Sequence, residues 1–386
     1  MKYDVIVVGA GPAGLTSARI ISKGGFKVAV FEKERRLSAK PCGEAVSRQT
    51  LEDASASPSE DFISQEITSA AIYAPNGKRV SIEGDAGVGY TMNKKLFLQY
   101  MAEKAAEAGV DMLVNQAVVD LKREGASVMV KTQRGEWKAR LILGADGFAS
   151  TVSRRLCFEK TVSRELIPCL QYIMVNCNLS NPNTVDFYLG SKVAPLGYSW
   201  IFPKGEKKVN VGMGVRGAST KPYLDKFIKE HSGTFAKAQI IGIESAPVTI
   251  SGLLDKIVDD NVMLVGEAAG QVMPLTGGGI HSSIVGGRMA GETAVRALER
   301  EDLSKSTLRG YVEDYNKHWG KRIKDSLKAL RVFEKLDDED LNKLAELLEP
   351  QDIIDLANGA NISRVGRKFT RHPLLSLKVA KTLLTS

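Results

Sequence analysis

The chain has 386 residues, of which 43% are apolar and 25% charged. That balance suits a globular protein of two or three domains, with a core large enough to enclose a cofactor. No run of about 18 apolar residues occurs, so no membrane-spanning helix is expected. Asp4 precedes the first apolar run and no cleavage pattern follows, which makes the N-terminus a strand and not a signal peptide. Cys42, Cys157, Cys169 and Cys177 form no CxxC pair and point to a reducing cytoplasm. The four histidines are scattered, so no metal site is expected. The net charge of +8 is compatible with nucleic acid, acidic lipids or phosphorylated ligands.

Residues 3–8, YDVIVV, read as a strand buried on both faces. A turn and helix follow from Gly9 to about Ser22, and residues 27–32 are a second strand, completing a βαβ unit. Leu96 to Ala108 is a helix closed by Gly109. Residues 137–145 form a strand running into Ala145-Asp146-Gly147. From about 166 to 253 alternating residues and turn formers predict an antiparallel sheet with one helix near 220–231. Residues 262–266 are again a buried strand, followed by a glycine-rich turn and a helix from about 280 to 299. The remainder is helical, at about 305–335, 338–349 and 351–358. The expected fold is α/β: a Rossmann-type nucleotide-binding domain, an antiparallel-sheet substrate domain and a helical C-terminal region. Its expected boundaries are 1–165 (with a small inserted sheet near 66–92) and 255–300 for the first domain, 166–254 for the second, and 301–386 for the helical region.

Gly9-Ala10-Gly11-Pro12-Ala13-Gly14 lies between a strand and a helix, and the next strand ends in Glu32. A lone GxGxxG is a weak signal, but this context is the one a dinucleotide requires. Gly9 makes the tight turn, Gly11 lets the backbone approach a pyrophosphate, and Gly14 lets the helix pack on the sheet. The phosphates would sit at the positive helix N-terminus, with Glu32 accepting hydrogen bonds from the ribose.

Residues 144–150, GADGFAS, and 266–279, GEAAGQVMPLTGGG, resemble the second and third flavin motifs of the large FAD family that includes p-hydroxybenzoate hydroxylase. The resemblance implies FAD. It places Lys33, Asp146, Gly147, Gly266, Pro274, Gly277, Gly278, Gly279 and Ile280 near the cofactor, with Glu267 where relatives carry the ribityl-binding aspartate. Lys94 stands where relatives often carry an arginine, and Ser153, followed by Arg154, stands where hydroxylases usually carry one.

Residues 195–203 read Pro195-Leu-Gly-Tyr198-Ser-Trp200-Ile-Phe202-Pro203. In a strand, Tyr198, Trp200 and Phe202 share a face and would make a wall suited to a branched hydrocarbon. Such a stripe can equally be sheet core. The segment resembles the P-x-x-Y-x-W-x-F-P signature of geranylgeranyl reductases, and Phe187-Tyr188-Leu189-Gly190 and Pro41-Cys42-Gly43-Glu44 fit that family too. The resemblance covers about residues 1–335. It implies FAD-dependent saturation of geranylgeranyl chains on archaeal ether phospholipid precursors, with Tyr188, Pro195, Tyr198, Trp200 and Phe202 on the substrate. Cys42 and Gly43 would lie near the flavin, and Cys42, Tyr198 and Trp200 would serve the chemistry. Reduced FAD would deliver hydride while a proton reaches the other alkene carbon, and the Tyr198 and Trp200 faces would stabilise developing positive charge. Cys42, Glu44, Tyr198 and water remain candidate proton donors. With no second GxGxxG, the electron donor is either transient NAD(P)H or a reduced carrier such as ferredoxin.

The alternatives are an enzyme with the same flavin motifs, a monooxygenase or less readily a flavin halogenase, and a non-enzyme of related fold. An FAD monooxygenase would act on a small aromatic ring, and a Rab GDP-dissociation-inhibitor-like protein would bind prenyl groups without flavin. The aromatic strand opposes the first and the intact glycine fingerprint the second. The prenylated lipid substrate suggests a cytoplasmic protein peripheral at the inner face of the membrane, with no nucleic-acid partner. From Asn361 to Ser386 six basic residues and no acidic one occur, with an apolar set beyond Pro373. This segment would either lie on an anionic membrane surface or dock on the protein itself.

Overall fold

The computed structural model describes residues 2–37, 40–58, 61–84, 89–156, 158, 165–368 and 378. The β-branched run Lys2–Val8 forms the centre of a sheet, parallel to Val28–Phe31 on one side and to Gly135–Gly144 on the other. Asp111–Leu113 closes one edge, and Val262–Leu264 with Val258–Asp259 closes the other. The central strands are buried on both faces, which is why they read as continuous apolar runs and not as alternation. Helices Pro12–Lys23 and Ile280–Glu299 cross on this sheet where both lack bulk. A Cβ on Gly287 would lie 2.4 Å from the Ala13 carbonyl oxygen, and one on Gly291 3.2 Å from the Ser17 Cα.

The second sheet has seven strands, in the order Gln239–Thr249, Leu166–Val175, Lys208–Gly214, Tyr198–Pro203, Thr184–Tyr188, Ser69–Tyr73 and Arg79–Glu83. All its pairings are antiparallel except that of Ser69–Tyr73 with Thr184–Tyr188. Helix Thr220–Glu230 covers one face, over a core that includes Tyr172, Val211 and Phe227. The other face is turned toward the nucleotide-type domain.

The expected small inserted sheet near 66–92 is divided. Ser69–Tyr73 and Arg79–Glu83 extend the seven-stranded sheet, and Ile63–Ile67 and Gly89–Met92 form a separate three-stranded sheet with Ala45–Ser47. Pairing between distant segments decided this, and no local pattern carries it. The expected helix 305–335 is also divided. Lys305–Tyr315 and Lys321–Phe333 are joined by a wide π turn over Asn316–Gly320. There Trp319 is buried and its ring meets His281 edge-on at 5.0 Å.

Three described basic residues of the tail are engaged by this chain's own carboxylates. Arg364 contacts Asp352 at 2.9 Å and Asp355 at 2.7 Å, Lys368 contacts Asp352 at 2.6 Å, and Lys378 contacts Asp337 at 3.0 Å. The acidic ends of helices Asp338–Leu347 and Pro350–Ala357 therefore hold these charges, as in the docked arrangement. Arg371, Lys381 and the apolar set from Leu374 to Leu384 lie outside the described residues. Among the described residues no helix is long and apolar enough to cross a membrane, and none of their His, Cys, Asp and Glu side chains cluster as a metal site would.

Burial pushes the Asp186 carboxyl up to about 6, and nearby Arg79 offsets this only partly. The unfolded chain would titrate near the ordinary 3.8. The charged form is thus the costly one in the fold, and stability is lost as pH rises through about 6. Asp186→Asn is expected to raise stability by about 1–2 kcal/mol at neutral pH and to have little effect near pH 4. Urea midpoints at the two pH values measure this.

Candidate active site

A cavity of about 890 Å³ lies between the carboxyl ends of the parallel strands and the open face of the seven-stranded sheet, where ligands bind in open α/β folds. The glycine turn forms one end. Gly9, at φ +106°, has no room for a side chain, since a Cβ would stand 2.4 Å from the Ala145 carbonyl oxygen. Gly14 packs against the Gly9 carbonyl, where a Cβ would lie at 2.1 Å, and does not reach the cavity wall. Gly11, Pro12 and Ala13 line it, and a Cβ on Gly11 would meet nothing within 4 Å. The Ala10 and Glu34 amides each donate to the Glu32 carboxylate, both at 2.9 Å, and fix it at the cavity edge beside Lys33.

Asp146 and Gly147 stand opposite. One Asp146 carboxylate oxygen accepts from the Thr151 and Val152 amides at 2.7 and 3.1 Å, while the other is buried without a partner. Burial pushes this carboxyl up, against the pull of those amides. Gly266 and Glu267 follow. Glu267 accepts from the Lys40 ammonium at 2.6 Å and the Thr249 hydroxyl at 3.2 Å. Pro274, Gly277, Gly278, Gly279 and Ile280 bring the N-terminus of helix Ile280–Glu299 to the wall. That end presents unpaired amides and the positive end of a 20-residue helix. The Tyr198 hydroxyl donates to the Thr276 carbonyl at 2.5 Å and ties this turn to the sheet.

Tyr198, Trp200 and Phe202 share one face and all line the cavity. Phe187 joins them, edge-on to Tyr198 at 5.7 Å and to Phe202 at 5.3 Å. Two expected substrate residues lie elsewhere. Tyr188 points to the far face, because its neighbour Phe187 takes the cavity side and strand side chains alternate. Its ring stacks on Tyr73 at 4.5 Å and meets Phe227 edge-on. Pro195 stands just outside the wall, its carbonyl accepting from the Arg216 amide, and Leu196 lines the cavity in its place.

One rung of the sheet runs across five strands. Glu244 pairs with Gln171, Gln171 with Gly212, Gly212 with Trp200, and Trp200 with Phe187. Gly212 is required in the middle, since a Cβ there would stand 2.5 Å from the Trp200 ring and 2.6 Å from the Gln171 Cβ. The Gln171 amide donates to the Glu244 carboxylate at 2.6 Å and to the Cys42 carbonyl at 3.0 Å.

The Cys42-Gly43-Glu44 loop is thereby held against the aromatic wall. A Cβ on Gly43 would lie 2.8 Å from the Phe202 ring. Glu44 sits at φ +70°, a strained conformation for a residue with a side chain. Its carboxylate accepts from the Lys94 amide at 2.8 Å, from Asn210 at 3.1 Å and from the buried Lys204 ammonium. The Glu44 amide meets the Cys42 sulfur at 3.3 Å. Burial pushes the Lys204 ammonium pKa down, and Glu44 opposes this. Lys94, expected at the cofactor, lines the cavity and donates to the Lys40 carbonyl at 2.8 Å. Gln171, Glu244, Asn210, Lys204 and Lys40 were not expected here. Lys40 is on the loop itself, and the long-range pairing of the sheet brings the others to it.

Glu44→Gln keeps the shape but leaves the Lys204 ammonium buried against a neutral amide. A loss of about 2 kcal/mol is expected, read as a lower urea midpoint. Faster alkylation of Cys42, resolved by peptide mapping, should accompany it.

Fold and cavity together define a nucleotide-dependent oxidoreductase, and residues 4–151 match the family model "FAD dependent oxidoreductase". Residues 165–248, the strands that carry the aromatic wall, match "Geranylgeranyl reductase catalytic domain". A digeranylgeranylglycerophospholipid reductase 2 of Methanopyrus kandleri is 37% identical, with 100% of each chain covered. A digeranylgeranylglycerophospholipid reductase of Methanocaldococcus jannaschii is 35% identical, over 99% of this chain and 98% of its own. Among solved structures, a geranylgeranyl bacteriochlorophyll reductase-like protein of Thermoplasma acidophilum superposes with a TM-score of 0.88 at 30% identity, covering 99% of each chain. A flavin-dependent brominase, 16% identical with a TM-score of 0.75 over 97% of this chain and all of its own, shares the fold. This chain belongs to the geranylgeranyl reductase family of FAD-dependent oxidoreductases.

Proposed function

We propose that this chain binds FAD in the 890 Å³ cavity and saturates the geranylgeranyl chains of archaeal ether phospholipid precursors. The observation that carries the reading is one cavity lined by two kinds of wall. One wall is built of glycine turns, the Glu32 carboxylate and two helix N-termini, suited to a dinucleotide. The other is a four-ring apolar surface suited to a prenyl chain. The fit to FAD rests on the open space at Gly11, on the unpartnered buried oxygen of Asp146, and on the N-terminus of helix Ile280–Glu299 at the cavity wall.

FAD, when bound and reduced, supplies the hydride. The chain's own residues do the rest. Trp200 and Tyr198, which line the apolar space, stabilise positive charge as it develops at the substituted alkene carbon, by about 0.5–2 kcal/mol per ring. Tyr198 does not serve as the acid. Its hydroxyl is committed to the Thr276 carbonyl, and burial pushes its pKa well above the usual phenol value. The Cys169 thiol, pushed up to about 12 by burial, is no acid either. Cys42 lies on the loop clamped between the aromatic wall and the nucleotide side, which leaves its thiol or a water beside it to hold the proton. NAD(P)H or a reduced carrier such as ferredoxin supplies the electrons.

The test is anaerobic. Reduced protein mixed with a geranylgeranylated phospholipid should regain the oxidised flavin absorbance without oxygen. Recovery only with oxygen and an aromatic compound would support the monooxygenase reading instead. Cys42→Ser is expected to keep its flavin and to slow this recovery at least about 10-fold, as for loss of a general acid. Unchanged kinetics would remove Cys42 from the chemistry.

A further inference from the structure

We propose that the edge strand Gln239–Thr249 is the surface with which this protein sits on an anionic lipid bilayer while it takes up its substrate. The inference rests on the lipid-substrate reading above. It begins from a concentration of exposed apolar side chains. Ile240, Ile241 and Ile243 are 47, 59 and 63% exposed, and the strand that carries them is the outermost of the seven-stranded sheet. Single exposed apolar residues are ordinary, but three within four positions of one strand are not.

Two features of the strand argue against a second copy pairing along it. The ladder with Leu166–Val175 shifts register between Ile173 and Met174, so Gly242 and Ile240 face successive partners and Ile241 has none. Pro247 lies within the strand and carries no amide hydrogen to donate. A bulge and a proline are the devices that keep sheet edges from pairing. The isoleucines are therefore presented on an edge unsuited to receiving another strand.

Two further features favour a bilayer. The same strand continues into the cavity wall through Ser245, Ala246, Pro247 and Val248, and Leu196, 50% exposed, stands at that wall as well. A lipid held at this edge would lie on the strand that borders the cavity, with the Glu244–Gln171 pair between the isoleucines and the aromatic rings. The opposite end of the strand is basic. Gln239 pairs with Val175 and Val175 with Lys208, so exposed Lys208 and its neighbour Lys207 flank the isoleucines, and exposed Lys237 precedes the strand. Glu206 beside them and Glu244, next to Ile243 in the strand, are acidic. Apolar side chains bordered by lysines match an anionic interface, in which burial and charge attraction add.

The experiment is flotation of the full-length flavin-loaded protein with phosphatidylcholine vesicles, with and without phosphatidylglycerol. The wild type should float with the anionic vesicles and lose binding as salt is raised. Ile241→Ser combined with Ile243→Ser should weaken binding on the order of 10-fold, and Lys208→Glu with Lys237→Glu should do the same at low salt. Both pairs lie on exposed positions, and far-UV circular dichroism checks that each stays folded. Turnover of detergent-dispersed lipid should be unchanged in both. Equal flotation of all forms, or no flotation of the wild type, overturns the proposal. So does a wild-type dimer that the isoleucine variant dissociates, since that gives the edge to a second copy. Failure of the wild type to turn over dispersed lipid would strike the functional reading, and loss of vesicle binding alone would not.

Discussion

Gly11→Val is expected to leave the fold standing and to abolish flavin binding. A Cβ at this position meets nothing within 4 Å, and the backbone there is extended at φ −79°, ψ −179°, which valine adopts readily. The apo protein should therefore unfold within about 0.5 kcal/mol of the wild type, as for a surface change. On the proposed reading, this open space is where the pyrophosphate of FAD would approach the backbone at the helix N-terminus. Filling it should weaken FAD by at least about 100-fold, or roughly 3 kcal/mol. The ratio of flavin absorbance to protein absorbance after purification measures this directly. Gly14→Val is the contrasting case, because its Cβ would overlap the Gly9 carbonyl and should cost the fold itself.

Trp200→Ala carries the second large effect. The indole is 8% exposed and packs between Tyr198, at 5.9 Å, and Phe202, at 6.1 Å, above Gly212. Removing it should cost about 3–5 kcal/mol of stability. On the proposed mechanism it also removes one charge-stabilising ring and opens the wall against which a prenyl chain would be aligned. A fall of about 100-fold or more in kcat/KM is expected, equivalent to nearly 3 kcal/mol of transition-state stabilisation. Flavin content should survive, since the residues expected to hold the nucleotide lie on the other domain. Trp200→Phe keeps a ring and should recover most of both losses. Equal activity of the alanine variant on long and short prenyl chains would make the stripe core and nothing more.

The parts of this protein set by local chemistry were legible in the sequence. The strand Lys2–Val8, the glycine turn and helix Ile280–Glu299 follow from β-branched runs, from GxGxxG between a strand and a helix, and from a glycine-rich start. The shared face of Tyr198, Trp200 and Phe202 follows from alternation alone. The same alternation excludes Tyr188, because Phe187 beside it occupies the cavity side, but nothing local says which of the two faces inward. What could not be read depends on strands that pair over long separations. The rung from Glu244 through Gln171 and Gly212 to Trp200 joins four segments of the chain. The Glu44–Lys204 pair joins positions 160 residues apart. The split of residues 63–92 between two sheets has the same cause.

Reducing equivalents held at this cavity are expected to end up in isoprenoid double bonds. Dithionite-reduced protein, incubated without oxygen with a phospholipid bearing two geranylgeranyl chains, should return lipid whose mass has risen by whole additions of H2. The Cys42→Ser and Trp200→Ala variants should lag behind the wild type. Lipid of unchanged mass after complete reoxidation of the flavin, or lipid heavier by oxygen, would rule out alkene reduction at this site.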